Sequence, residues 1–307
     1  MAKTKVRIVE MGLRDGLQNE KVSVSVEDRL RLTTSLVAAG FRELEIGAFV
    51  SAKWVPQMAG TKELIQQILV AQGSKKLPQD LRLSALVPNE QGMRDAVAAG
   101  LPEVAVFTAA SESFTKANIN CTIEESFERF VPVLKMAKSR KIKVRGYLSC
   151  SFWCPFEGRI APATVIPLAL RLLEMGCYEV SIGDTIGAAS PAEIEKLFTG
   201  LKAKAGLRKF AGHFHDTRGQ ALANLHAAFR LGVRTFDASV GGLGGCPYAP
   251  GAKGNVSTED VLYSFQGMNV DTGLDLGALV PLRAHLETIV QHQVSSRVAQ
   301  VGLPKGF

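Results

Sequence analysis

The chain repeats one local pattern eight times: a short run rich in β-branched and aromatic residues, an amphipathic stretch, and then a turn into the next run. The candidate strands are Val6–Gly12, Arg42–Val50, Arg82–Val87, Glu103–Ala110, Lys143–Ser151, Tyr178–Thr185, Phe210–Asp216 and Thr235–Gly245. Helical patterns lie between them, among them VEDRLRLTTSLVAAG, IEESFERFVPVLKMAKSRK, SPAEIEKLFTGLKAKAG and GQALANLHAAFRLG. In AAGF, AAGL, EMGC and RLGV a helix stops at glycine, the residue that takes the left-handed conformation of a C-cap without a Cβ penalty. Eight strand–helix units in roughly 270 residues predict an α/β protein built as a TIM (β/α)8 barrel. A doubly wound dinucleotide fold would place G-x-G-x-x-G after the first strand, and RDGLQNE is not that motif. No low-complexity linker divides the chain, so residues 1–307 are expected to form a single catalytic barrel domain. Within it, 271–307 form a C-terminal helical extension, with an extra helix over Leu274–Gln293 packed on the barrel.

Hydrophobic residues at 46% and charged residues at 21% fit an ordinary soluble globular protein. The opening MAKTKVRIVEMG runs from a short polar lead into a strand-like segment, and no apolar run is long enough to span a bilayer. A cytoplasmic protein without a membrane partner is expected. The five cysteines, Cys121, Cys150, Cys154, Cys177 and Cys246, are scattered and odd in number, which argues against a disulfide framework and for buried thiols. Net charge of +7 permits attraction to phosphorylated or carboxylated ligands. No basic helix or dense Lys/Arg run with interleaved aromatics accompanies it, so no nucleic-acid partner is expected and a small polyanionic substrate fits the charge.

Barrel chemistry sits at the C-terminal ends of the strands. Arg14 and Asp15 follow strand one, Glu45 lies in strand two, Asn89 follows strand three, Asp184 ends strand six, His213 and His215 lie in strand seven, and Cys246 with Asn255 belongs to the loop after strand eight. Alternate residues of a strand share a face, so the H-x-H pair projects both imidazoles the same way. Asp15, His213 and His215 would supply one carboxylate and two nitrogens to a divalent cation, Mg2+ or Mn2+, with the imidazoles extending the range to Co or Zn and Asn255 as the amide candidate. The positions left open imply Lewis-acid catalysis rather than a structural ion.

The blocks VEMGLRDGLQNEK, GAFVSAKWVPQM, ASESFTKANINCTIEES, GDTIG, HFHDTRGQALAN and SVGGLGGCPYAPGAKGN resemble those of the 3-hydroxy-3-methylglutaryl-CoA lyase family, across essentially the whole chain. R-D-G-x-Q and H-x-H are shared with related condensing synthases and aldolases; K-W-V-P-Q-M and G-G-C-P-Y narrow the likeness to the lyase. The resemblance implies a small-molecule acyl-CoA substrate, cleaved to acetyl-CoA and acetoacetate. A homodimer or higher homo-oligomer is the expected assembly.

In that reaction Arg14 is suited to the thioester oxygen, where enolate charge develops. Glu45 would orient Arg14. Cys246, in a glycine-rich loop able to close over substrate, is the candidate proton donor to the enolate. Asp15 is a ligand with possible base duty and Asp184 an orienting group, but either could be the base. The substrate-binding candidates beyond Arg14 are Asn120, Lys53 and Gly245. The SESFTKANIN segment either lines the substrate channel or is a solvated loop before the Thr122–Glu125 capping box. Lys53 is either a contact to CoA phosphate or simply exposed, and Trp54 is expected to pack rather than to stack on adenine. Phe152 and Trp153, bulkier than is usual for the family, could alter the pocket and hence the acyl chain accepted; a longer branch such as an isohexenyl group is the alternative substrate. The rival readings are a condensing synthase of the same superfamily, expected to carry a long C-terminal extension, and a non-catalytic barrel that binds CoA or a partner protein.

Overall fold

The computed structural model describes residues 3–245 and 254–306. Eight parallel strands close into a barrel in sequence order: β1 (Arg7–Glu10), β2 (Glu43–Ala48), β3 (Arg82–Leu86), β4 (Glu103–Ala109), β5 (Lys143–Ser149), β6 (Glu179–Asp184), β7 (Phe210–Phe214) and β8 (Thr235–Ala238), with β8 returning to pair with β1. The expected TIM barrel is therefore observed. The four glycines at the helix stops, Gly40, Gly100, Gly176 and Gly232, all have positive φ, as the C-cap argument requires. The Thr122–Glu125 capping box is also formed, with Glu125 N–H donating to Thr122 Oγ1 at 3.1 Å and Thr122 N–H to the Glu125 carboxylate at 2.7 Å.

Strand residues alternate between two environments. Ile8, Leu44, Leu83, Val104, Val144 and Val180 are each at most 5% exposed and belong to the main apolar core. The intervening positions carry charge: Arg7 pairs with Glu43 at 2.7 Å, and Arg145 pairs with Glu179 at 2.9 Å and with Asp237 at 2.7 Å. A layer that barrels usually fill with branched aliphatics is thus an ion-pair network below the site, and each buried charge in it has a partner.

Three expectations need correction. β8 ends at Ala238, seven residues short of the predicted Gly245, because Gly241 and Gly242 take positive φ and the Glu259 carboxylate accepts the Gly241 N–H at 2.9 Å, turning the chain off the barrel. The single helix expected over Leu274–Gln293 is broken into Leu276–Leu279 and Leu282–Val290, with Pro281, which lacks an N–H to donate, at the break, and Arg297–Val301 follows. Phe152 is buried in the core, and Trp153, half-buried in a two-residue antiparallel pairing with Gly158–Arg159, donates its Nε1–H to Glu193; neither lines the cavity described below. The SESFTKANIN segment does line that cavity, through Phe114, Ala117, Asn118, Ile119 and Asn120, in keeping with the first of its two readings, as a helix over Glu112–Ile119 capped by Ser111. Among the described residues no helix is long and apolar enough to cross a membrane.

Candidate active site

The chain leaves β1 through one turn of π-helix, Gly12–Gly16, closed by a Gly16 N–H bond to Met11 O at 3.0 Å. Such wide turns recur at functional sites because they re-aim side chains. This one presents Arg14 and Asp15 to the barrel mouth. Two strands away around the barrel, β7 ends at Phe214, so His213 lies in the strand, and His215 sits just beyond it in an antiparallel bridge to Asn255. The predicted pair still points one way: the two Nε2 atoms are 3.2 Å apart and each is 3.8 Å from Asp15 Oδ2.

The donor set suits a divalent cation. Adjacent ligands on an ion with ~2.1 Å bonds stand about 3.0 Å apart; the two Nε2 atoms, 3.2 Å apart, lie close to that spacing, and Asp15 Oδ2, 3.8 Å from each, stands wider. Asp237 fixes the tautomer of His213: its Oδ2, 3.1 Å from Nδ1, can only accept, so the ring proton sits on Nδ1 and Nε2 offers its lone pair to the cluster. His215 Nδ1 is buried with no partner. The His213 Nε2 lone pair, 3.2 Å from His215 Nε2 and beside the Asp15 carboxylate, is a donor that a cation could take up. Burial raises the pKa of Asp15, but Arg14 and the two imidazoles outweigh it and hold the carboxyl well below the usual carboxylate range. The ligand is thus anionic at any physiological pH.

Asn255 reaches the cluster through nitrogen. Its Nδ2 donates to Asp15 Oδ2 at 2.7 Å and to Leu243 O at 3.2 Å, so here it steadies the carboxylate ligand. Ligation by Oδ1 requires the amide to turn over, an exchange of two groups of nearly equal shape.

Arg14, 6% exposed, donates Nε–H to Glu45 Oε1 and Nη1–H to Asp15 Oδ1 at 2.6 Å. Burial lowers its pKa, but Glu45 and Asp15 more than offset this, so the guanidinium stays charged. No acceptor for its Nη2 is found among the described residues. Tyr147 completes the support: its hydroxyl donates to Glu45 Oε2 at 2.5 Å and accepts from Arg145 Nη1 at 2.8 Å. The guanidinium carbons of Arg14 and Arg145 lie 5.5 and 5.1 Å from its ring centroid.

Arg14, Asp15, Tyr147, His213 and His215 line one side of a cavity of about 1300 Å³; Leu86, Phe107 and Phe130 line it as well. Asn120 and Gly245 also line it. Lys53 is exposed and does not, although its neighbours Ala52 and Trp54 do. Trp54 is 81% exposed, so the expectation that it packs is wrong. Asp184 is fully buried off the cavity. Its two oxygens accept the N–H groups of Ala188 and Ala189 at 3.0 Å each, so the carboxylate holds the loop after β6 and does not face the substrate space. Cys246 lies outside the described residues.

A model of the family described as HMGL-like matches residues 5–285. The chain belongs to the HMGL-like family. Among HMGL-like relatives it is 54% identical over 274 residues to the hydroxymethylglutaryl-CoA lyase of Pseudomonas mevalonii, covering 89% of each chain. It is 48% identical over 301 residues, 98% of each chain, to a Pseudomonas aeruginosa protein named 3-hydroxy-3-isohexenylglutaryl-CoA/hydroxy-methylglutaryl-CoA lyase. The crystal structure of hydroxymethylglutaryl-CoA lyase from Pseudomonas aeruginosa superposes with a TM-score of 0.91 at 47% identity, covering 97% of each chain. The resemblance read from the sequence motifs holds.

Sequence reasoning missed Asp237, Tyr147 and Arg145 of the HMGL-like site. A signal existed. Each is a polar residue in an otherwise apolar strand, and the spacing of Arg145 and Tyr147 in KVRGYLS sets both on one face. What hid it was partner identity: Asp237 meets His213 only through the β7–β8 register.

Proposed function

We propose that the protein is a divalent-metal-dependent carbon–carbon lyase that cleaves 3-hydroxy-3-methylglutaryl-CoA to acetyl-CoA and acetoacetate. The observation that carries this reading is the convergence of Asp15, His213 and His215 on one point beside the Glu45-braced guanidinium of Arg14.

A cation held by Asp15, His213 and His215, with Asn255 as the amide candidate, would supply Lewis acidity that lowers the pKa of the tertiary hydroxyl. Asp15 is the better placed of the two carboxylates to take the hydroxyl proton, because Asp184 is occupied by backbone. Arg14 and the two imidazoles favour the anionic form of Asp15, the form that can accept that proton. As the C2–C3 bond breaks, its electron pair leaves with the acetyl-CoA fragment and C3 becomes the ketone of acetoacetate. Arg14 presents Nη2 to the thioester oxygen, where the enolate charge collects, and Glu45 with Tyr147 keeps it there. Cys246, next in the chain after cavity-lining Gly245, is the proton donor to C2 in this reading.

Release of acetyl-CoA and acetoacetate from the methylglutaryl thioester, abolished by EDTA and restored by Mg2+ or Mn2+, is the expected result. EDTA-insensitive release, or none, would overturn the proposal. The name of the Pseudomonas aeruginosa relative and the apolar residues of the cavity support a second substrate with an isohexenyl branch. The methylglutaryl thioester should show the higher kcat/KM of the two.

A further inference from the structure

Arg29 is a fully buried arginine to which the barrel gives no carboxylate. It lies on the first helix, Val26–Ala38, at 0% exposure, and it forms no salt bridge among the described residues. Its Nη1 donates to Ala59 O at 2.8 Å and its Nη2 to Ile46 O at 2.9 Å, with Thr61 Oγ1 at 3.5 Å; Nε is buried without a partner. A cation without a counter-ion in a dry site is costly unless its donors do something a neutral side chain cannot.

What they do is visible in the register of β2. Glu45 faces Ser84 of β3, but the next pair is Ala48 with Leu86, so three steps on β2 match two on β3. This bulge begins immediately after the carboxylate that grips Arg14, and bulges re-aim side chains while leaving backbone groups unpaired. Arg29 takes the Ile46 carbonyl within the bulge and, through its other nitrogen, the Ala59 carbonyl in the segment Met58–Thr61, which lines the cavity. Gly47 leaves room for this contact: a Cβ there would stand 2.4 Å from Thr61 Oγ1 and 3.1 Å from Arg29 Nη2.

We infer that Arg29 is a positioning residue that locks the β2 bulge, and through it the aim of Glu45 and Arg14. A planar fork with divergent donors spans two carbonyls on different segments; a lysine ammonium is a single point and reaches fewer. The inference rests on the lyase reading and deepens it. It predicts a defect in turnover rather than in ground-state binding, because Arg14 acts on charge that appears only as the bond breaks.

The test is kinetic, on the full-length Mn2+-loaded enzyme with the methylglutaryl thioester. Arg29→Lys should fold, lose at least tenfold in kcat and keep KM within about threefold. Arg29→Met should lose more if it folds; should it fail to fold, Arg29→Lys decides. The effect must also depend on Glu45: in a Glu45→Gln background, Arg29→Lys should change kcat less than threefold, because coupled residues are not additive. A folded Arg29→Lys enzyme with kcat within twofold of the parent, or a loss that is fully additive with Glu45→Gln, overturns the inference. A parent enzyme that shows no EDTA-sensitive cleavage instead sinks the lyase reading itself.

Discussion

Replacing Asp237 with Asn tests whether the His213 lone pair is set from beneath the site. The carboxylate takes three donors: Arg145 Nη2 at 2.7 Å on Oδ1, and Ser181 Oγ at 2.7 Å with His213 Nδ1 at 3.1 Å on Oδ2. An asparagine has one acceptor oxygen. Arg145 cannot give up its proton and Ser181 can rotate its own, so the amide oxygen must turn to Arg145 and the amide N–H to His213. His213 Nδ1 then becomes an acceptor, its proton moves to Nε2, and the atom that should bind a cation carries hydrogen. Loss of a partner of this kind costs about 10–100-fold in metal affinity, which is roughly 1.4–2.7 kcal/mol. Arg145, 2% exposed at its side chain, keeps Glu179 but loses one of its two counter-ions, so stability should also fall by about 1.5–3 kcal/mol. Mn2+ titration followed by electron paramagnetic resonance reads the first quantity and denaturant unfolding of the apo protein reads the second. Ser181→Ala, which removes one donor and no charge, should leave Mn2+ affinity within threefold. If Asp237→Asn binds Mn2+ as tightly as the parent while remaining folded, the tautomer argument is wrong.

Arg14→Gln removes the charge aimed at the enolate and should cost at least 100-fold in kcat/KM, about 2.7 kcal/mol or more, with Mn2+ affinity little changed; a loss below tenfold would count against the enolate role. Glu10 and Glu259 have carboxyl pKa values pushed up to about 7 by complete burial. A folded-state pKa above the unfolded one means a contribution present below about pH 4.5 and lost as pH rises through 7, up to about 3 kcal/mol per group. Unfolding free energy should therefore decline between pH 5 and pH 8, and Glu10→Gln should flatten that decline; an unchanged slope would show that Glu10 does not titrate there.

Fold and site differ in how far one dimension suffices. The glycine stops, the eight alternating segments and the capping box at Thr122 are local, and each was legible because the conformation it needs is chosen within a few residues. Boundaries failed where a distant group intervened: β8 stops early because Glu259, eighteen residues further along the chain, captures the Gly241 N–H. For the site, H-x-H and R-D-G were legible because periodicity in a strand and a turn fixes which way those side chains face. The choice between Asp15 and Asp184 as base stayed open because a carboxylate at a strand end looks alike whether it faces substrate or holds its own loop. Arg145, Tyr147 and Asp237 went unread because their partners lie on other strands.

The sequence by itself determined the order of elements, the closed parallel barrel and the grouping of Asp15, His213 and His215 at its mouth, since these follow from spacing along one chain. Only the tertiary structure decided which carboxylate faces the cavity, which nitrogen of His213 is free, and that an unpaired Arg29 braces the bulge behind Glu45. Those outcomes depend on hydrogen-bond partners brought together by barrel closure, and a buried polar group is defined by what it touches rather than by where it falls in the chain.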